Sequence, residues 1–176
     1  MLENRPVNHY GYAVANIGEA ARAWSSMFGA GPFLLIEKMR FDSISYFGED
    51  CTYVHSAAFG QWGSIAIELM QFYECSPPSL SQRMLPGLMP VLNHVAYLSP
   101  DPGADGARLE AAGVKEFLHA KFGEVEVRLY DATRVIGCAI EIHRKSAFIE
   151  EFFGLVERES RGWDGRDPVR LFKPDR

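Results

Sequence analysis

"SIAIELMQ", residues 64–71, and "CAIEIHR", residues 138–144, are nearly the same phrase written twice, and each sets a glutamate among bulky aliphatic residues. Side chains alternate faces along a strand. Glu68 therefore shares a face with Ala66 and Met70, while Ile65, Ile67 and Leu69 share the other. Glu141 likewise falls with Ala139 and His143, against Ile140 and Ile142. The aliphatic face of each strand is a core face. The opposite face carries a carboxylate beside small residues, and a buried carboxylate needs a cation, a proton or a metal close to it. These strands are therefore read as lining a cup.

Working outward, each phrase closes a longer unit. "VNHYGYAVAN" (7–16) reads as a strand, and Ala20, Ala21, Trp24, Met27 and Phe28 keep helical spacing until Gly29 and Gly31-Pro32 stop them. Strand-like runs follow at "FLLIEKMRF", "DCTYVHSAAF" and "SIAIELMQFY". After a stretch with four prolines (74–90) the order begins again. "VLNHVAYLSP" is a strand, "GADGARLEAAGV" a helix, and "KEFLHAKF", "EVEVRLYD" and "VIGCAIEIHR" are strands. Asn8-His9 is echoed by Asn93-His94, so the chain is a repeated βαβββ unit whose halves differ in loop length. The organisation expected is a first module over 1–73, a connector over 74–90, a second module over 91–144, and a C-terminal helix and arm over 145–176, all within one structural domain. Phe148, Phe152 and Phe153 of that helix are expected to cover an edge strand.

On the first strand His9 shares its face with Gly11 and Ala13; on its counterpart His94 shares a face with Leu92 and Ala96. Four strands thus offer two imidazoles and two carboxylates, a donor set suited to a divalent ion such as Zn, Ni, Co, Fe or Mn. Spacing alone does not bring them together. Each residue by itself also reads as an exposed strand glutamate or as a histidine hydrogen-bonded at a sheet edge.

Composition narrows the alternatives. The chain has 176 residues, 47% of them hydrophobic and 23% charged, enough for one domain with its own core. Net charge is −5 with scattered basic residues, which argues against nucleic acid or an anionic membrane as partner. No apolar run approaches the roughly 20 residues of a membrane span. The start, "MLENRPVNHYG", lacks a signal-sequence pattern. Three cysteines without metal-site spacing fit a reducing, cytoplasmic location.

At these residues the sequence resembles the vicinal oxygen chelate superfamily, which includes glyoxalase I, methylmalonyl-CoA epimerase, extradiol dioxygenases and antibiotic-resistance proteins. The resemblance covers residues 7–144 and is carried by "NHYGYAV", "IAIELMQ", "LNHVAYLS" and "AIEIHR". It implies an α+β fold: two βαβββ modules forming a U-shaped mixed sheet around a metal-binding cup, with helices on the outer face. It implies His9, Glu68, His94 and Glu141 as metal ligands, and a homodimer. The His-Glu-His-Glu set is similar to that of bacterial glyoxalase I. The layout is closer to methylmalonyl-CoA epimerases, whose second ligand is typically glutamine where this chain has Glu68.

Four protein ligands leave two adjacent positions on an octahedral ion, suited to two neighbouring oxygens of a small substrate. The activity expected is a metal-dependent isomerase, epimerase or lyase that moves a proton through a metal-stabilised enolate. Glu141 and Glu68 are the candidate bases. His143, Met70 and Phe72 are the candidate substrate contacts, with Met84, Met89 and Leu92 in or near the rim, while His55 faces either core or cavity. The alternatives are an extradiol dioxygenase, for which a fourth ligand crowds the oxygen site, and a metal-free binding protein of the same fold.

Overall fold

The structure is a computed structural model and describes residues 4–85 and 87–173. Residues 1–3, Pro86 of the connector and residues 174–176 of the arm lie outside the described residues.

Strand β1 (His9–Ala13) opens the chain, burying His9, Gly11 and Ala13 and leaving the two tyrosines half-buried. Helix α1 (Ile17–Phe28) starts where the Asn16 side chain accepts a hydrogen bond from the Glu19 amide, and ends at Gly29 in the left-handed conformation, φ 66°. β2 (Phe33–Met39), β3 (Ser43–Tyr46), β4 (Glu49–Asp50), β5 (Thr52–Trp62) and β6 (Ile65–Ser76) follow, then a short helix α2 (Pro78–Met84). The second half runs β7 (Val91–Ser99), α3 (Pro102–Ala111), β8 (Glu116–Phe122), β9 (Val125–Tyr130), α4 (Thr133–Ile136) and β10 (Ala139–Arg144). Helix α5 (Ala147–Ser160) and β11 (Val169–Leu171) complete it.

All strands join one mixed sheet in the order β11-β2-β5-β6-β1-β7-β10-β9-β8-β3-β4. The two halves meet at the antiparallel pair β1 and β7, flanked by the parallel neighbours β6 and β10. The outer face buries Ile17 and Ala21 of α1 against Ile67 and Leu69, and places Tyr130 and Ile142 beside Val114 just after α3. These are the aliphatic faces of the two repeated phrases, so the fold class expected from the sequence is the one observed.

Three local features differ from the sequence reading. Val135 and Ile136 were assigned to a strand, but they lie in the one-turn helix α4; Gly137, at φ 83°, ends it, and β10 begins only at Ala139. Residues 42–49 fall between two expected strand runs, yet Ser43–Tyr46 form β3, which leaves the first module and pairs with β8 of the second. Residues 40–42 thereby join the two ends of the sheet across the open side of the U. Their pairing partner lies more than seventy residues away, so no local pattern marks it. Finally, the tail helix does not cover an edge strand. Phe152 and Val156 of α5 pack on Leu34, Ala57, Phe59 and Ala66, inside the curve of the sheet. The edge of β2 is covered instead by β11, which pairs with it in parallel.

Candidate metal centre

The registers of the four central strands put the two histidines and two glutamates on one face, each donor next to small residues. His9 lies between Ala66 and Ala96. His94 lies between Gly11 and Ala139, Glu141 next to Ala96, and Glu68 next to Gly11. Large donors and small spacers alternate across the strands. This explains the Gly and Ala companions noticed in the sequence: they make the room into which the long side chains fold.

Among the described residues, ligand atoms of His9, Glu68, His94 and Glu141 all lie within 4.8 Å of one another, in a buried cluster that could hold a metal ion. His94 Nε2 is 3.3 Å from His9 Nε2 and 3.0 Å from Glu68 Oε2; His9 Nε2 is 3.5 Å from Glu68 Oε2 and 3.6 Å from Glu141 Oε1. Glu68 Oε2 is buried yet has no hydrogen-bond partner. A buried, unpartnered carboxylate oxygen beside two imidazole nitrogens is the geometry of donors aimed at a shared centre, so these residues fit a divalent ion.

The remaining imidazole nitrogens are fixed from behind. His9 Nδ1 donates to Asn8 Oδ1 at 2.9 Å, and His94 Nδ1 donates to Asn93 Oδ1 at 3.1 Å. An amide oxygen only accepts, so each Nδ1 carries a proton, and it is Nε2 that faces the centre and would give its lone pair to a bound ion. The Asn-His echo was visible in the sequence as a mark of the repeat; its role in setting the tautomer needed the structure. Asn93 is tied further by donating Nδ2 to the Met84 carbonyl at 2.8 Å.

Electrostatics point the same way. Burial lowers the pKa of His9, but Glu141 and Glu68 outweigh it and hold the imidazole's proton up to about 9. Burial raises the pKa of Glu68, and the two histidines outweigh that and bring it down to about 2. Two buried carboxylates draw positive charge into the cluster, and a bound cation would supply it.

A cavity of about 170 Å³ adjoins the cluster, with Glu68, Glu141 and His143 in its wall. Its lining is otherwise largely aromatic and aliphatic, drawn from both modules and from Phe148, Ile149, Phe152 and Phe153 of α5. Phe153 stacks on His9 at 5.4 Å between ring centres. His143 Nε2 donates to Glu141 Oε1 at 2.5 Å, and its Nδ1 is buried without a partner. Of the expected substrate contacts, Met70 and His143 border the cavity. Phe72 does not; it stands behind His55, with ring centres 5.7 Å apart. Met84 and Leu92 line a separate, more open cavity of about 530 Å³, walled also by Arg83, Asn93 and Phe117, and Met89 is exposed. His55 borders the smaller cavity, which settles its sequence ambiguity.

The family profile described as Glyoxalase/Bleomycin resistance protein/Dioxygenase superfamily matches residues 8–128. The chain belongs to that superfamily. No curated protein matches the chain. Solved structures of similar fold include a hypothetical protein from Bacillus halodurans C-125, at 16% identity and TM-score 0.58, covering 82% of this chain and 96% of that one. They include methylmalonyl-CoA epimerase from Mycobacterium tuberculosis, at 19% identity and TM-score 0.55, covering 86% and 97%. A Streptomyces coelicolor methylmalonyl-CoA epimerase variant in complex with 2-nitronate-propionyl-CoA is similar at 14% identity and TM-score 0.50, covering 82% and 97%. At these identities the likeness is one of fold. The superfamily holds enzymes and non-enzymes alike, so the activity must be argued from the donor cluster and its cavity.

Proposed function

We propose that this member of the superfamily is a metal-dependent isomerase, epimerase or glyoxalase-type lyase acting on a small substrate with two neighbouring oxygens. The observation that carries the reading is the buried convergence of His9, Glu68, His94 and Glu141 within 4.8 Å, with Glu68 Oε2 left unpartnered. A divalent ion held by these four residues would supply Lewis-acid stabilisation of negative charge developing on substrate oxygen.

The chain's own groups supply the rest. Glu68 and Glu141 both border the cavity, and each carboxylate, on loosening from the ion, would take or return a proton at a substrate carbon seated there. Histidine neighbours favour the ionised form of both glutamates despite burial, which raises their pKa. His143 holds Glu141 through Oε1 and fixes the carboxylate's orientation. The aromatic walls exclude water and favour a compact apolar body. The most aromatic part of this lining also favours a second reading, a binding protein that sequesters flat apolar molecules without a metal.

One experiment separates them. Protein purified without chelator is analysed for divalent ions, then incubated in D₂O with thioesters, α-hydroxy ketones and dicarbonyls. Stoichiometric metal and deuterium incorporation at a substrate carbon, both lost in Glu68→Ala, are expected. Absence of bound ion together with unassisted ligand binding sinks the enzymatic reading. Glu141→Gln separates ligation from proton transfer: it is expected to keep part of the metal while abolishing exchange.

A further inference from the structure

His55 is a buried imidazole with nothing to bond to. It is 4% exposed; its Nδ1 is sealed without a hydrogen-bond partner, while Nε2, which no described residue bonds, is not sealed. A buried polar group left unsatisfied costs about 1–3 kcal/mol, so such a group calls for a function. The ring stands in an aromatic enclosure, with Tyr53, Phe72 and Phe41 centred 4.6, 5.7 and 6.0 Å away, and it borders the cavity beside Glu68 and Glu141.

The backbone around it is irregular on both sides. The ladder to β6 slips between Val54 and His55, passing over Tyr73, and the ladder to β2 slips between Ile36 and Met39 at the same level. In the β2 irregularity Lys38 adopts φ 45°, a conformation uncommon for a residue with a side chain. Bulges re-aim side chains, and two at one level single out His55 on an otherwise regular strand. Nothing in the packing core needs a histidine here. Phe or Leu would fill an aromatic enclosure without the loss.

The rest of the lining says what kind of molecule His55 meets. Among the described residues no Lys or Arg lines the cavity. Its volume of about 170 Å³ lies below the roughly 300–1,000 Å³ of sites for drug-sized ligands. A phosphate or carboxylate tail would find no Lys or Arg to pair with, and a large conjugate no room.

We propose that the cavity takes a compact, uncharged, ring-bearing molecule, and that His55 uses Nε2 to hydrogen-bond a polar substituent on that molecule, away from the two oxygens at the donor cluster. The inference rests on the proposed chelating function. His55 is thus a specificity-determining, substrate-contacting residue. Burial lowers its pKa to about 4, so at neutral pH the ring offers one donor and one acceptor.

Hydroxamates, which present two adjacent oxygens, serve as probes. Zinc-loaded protein is titrated calorimetrically with benzohydroxamate and with its 2-, 3- and 4-hydroxy derivatives. One hydroxyl isomer is expected to bind about tenfold more tightly than the parent, the worth of one hydrogen bond. In His55→Phe that gain disappears, while zinc content and parent benzohydroxamate affinity stay within about threefold of wild type. The favoured isomer should also shift the ¹⁵N resonances of the His55 ring in wild-type protein. No gain for any isomer, or a gain that survives in His55→Phe, overturns the role of His55 and leaves the chelating function standing. Failure of zinc to bind, or of every hydroxamate to bind the zinc form, overturns both.

Discussion

Gly11 lies directly across from His94 in the β1–β7 register, and a Cβ placed on Gly11 would stand 2.1 Å from His94 Cε1. The histidine ring occupies the space that any other residue would need. Gly11→Ala should therefore push His94 out of the cluster. Zinc affinity, measured against a competing chelator, is expected to fall at least about 100-fold, more than loss of an outer-shell partner usually brings. Overpacking should also lower the stability of the metal-free protein by about 1–3 kcal/mol. Unchanged zinc affinity would mean that His94 is not a ligand.

Asn8 gives a milder test of the same architecture. Its side chain accepts from His9 Nδ1 and so keeps Nε2 free for the centre. Asn8→Ala should leave the fold intact and weaken metal binding roughly 10–100-fold. Asn93→Ala is less clean, because Asn93 also holds the Met84 carbonyl. A wild-type affinity in Asn8→Ala would show that ring orientation is set by packing, notably by Phe153, rather than by the amide.

The four clustered residues are legible in the sequence because strand periodicity is local: each lies on a strand whose opposite face is aliphatic, and the phrase recurs. The small spacers Gly11, Ala66, Ala96 and Ala139 carried the second half of that signal. What escaped the sequence was non-local. The pairing of β3 with β8, the placement of α5 inside the curve and the register shifts on both sides of His55 all depend on contacts between distant segments. Phe153 reads as an ordinary apolar helix residue; only its docking makes it a wall of the cavity.

Removing the ion should destabilise the protein. Ligand present at about 100 times its Kd stabilises by about 2.7 kcal/mol. For a chain of this size that corresponds to a Tm higher by roughly 5–10 °C. Thermal unfolding with added zinc and with EDTA measures the difference directly. It should vanish in Glu68→Ala. A Tm indifferent to zinc in the wild type would argue that the cluster does not bind it.

Part of the acid sensitivity should come from a residue outside the metal centre. Glu126, 7% exposed, is within 2.6 Å of Arg144 and 2.9 Å of Arg128, with His119 at 3.1 Å. Burial alone raises its pKa, but the two guanidiniums outweigh this and hold it at about 2, against an ordinary 4.5. A carboxylate depressed in the folded state stabilises above its unfolded pKa, and the contribution is lost as pH falls from about 4.5 toward 2. The full difference amounts to about 3 kcal/mol at most. Urea midpoints between pH 6 and 2.5 should fall more steeply in wild type than in Glu126→Gln. Parallel curves would rule the network out as a source of acid lability.

The size limit of the cavity should yield to one substitution. Phe153 stacks on His9 and meets Phe59 edge-on at 5.7 Å, closing the space above the cluster from the helix side. Phe153→Ala removes that wall without touching a donor atom. Because the ring is only half-buried, the stability loss should fall near or below the roughly 3 kcal/mol lower end for buried Phe→Ala. The zinc-loaded variant should favour naphthohydroxamate over benzohydroxamate by at least about tenfold more than wild type does, the worth of burying an additional ring in newly opened apolar space. Calorimetry on the two ligands gives the ratio. If it does not move, the ring does not bound the site, and α5 merely covers the sheet at this point.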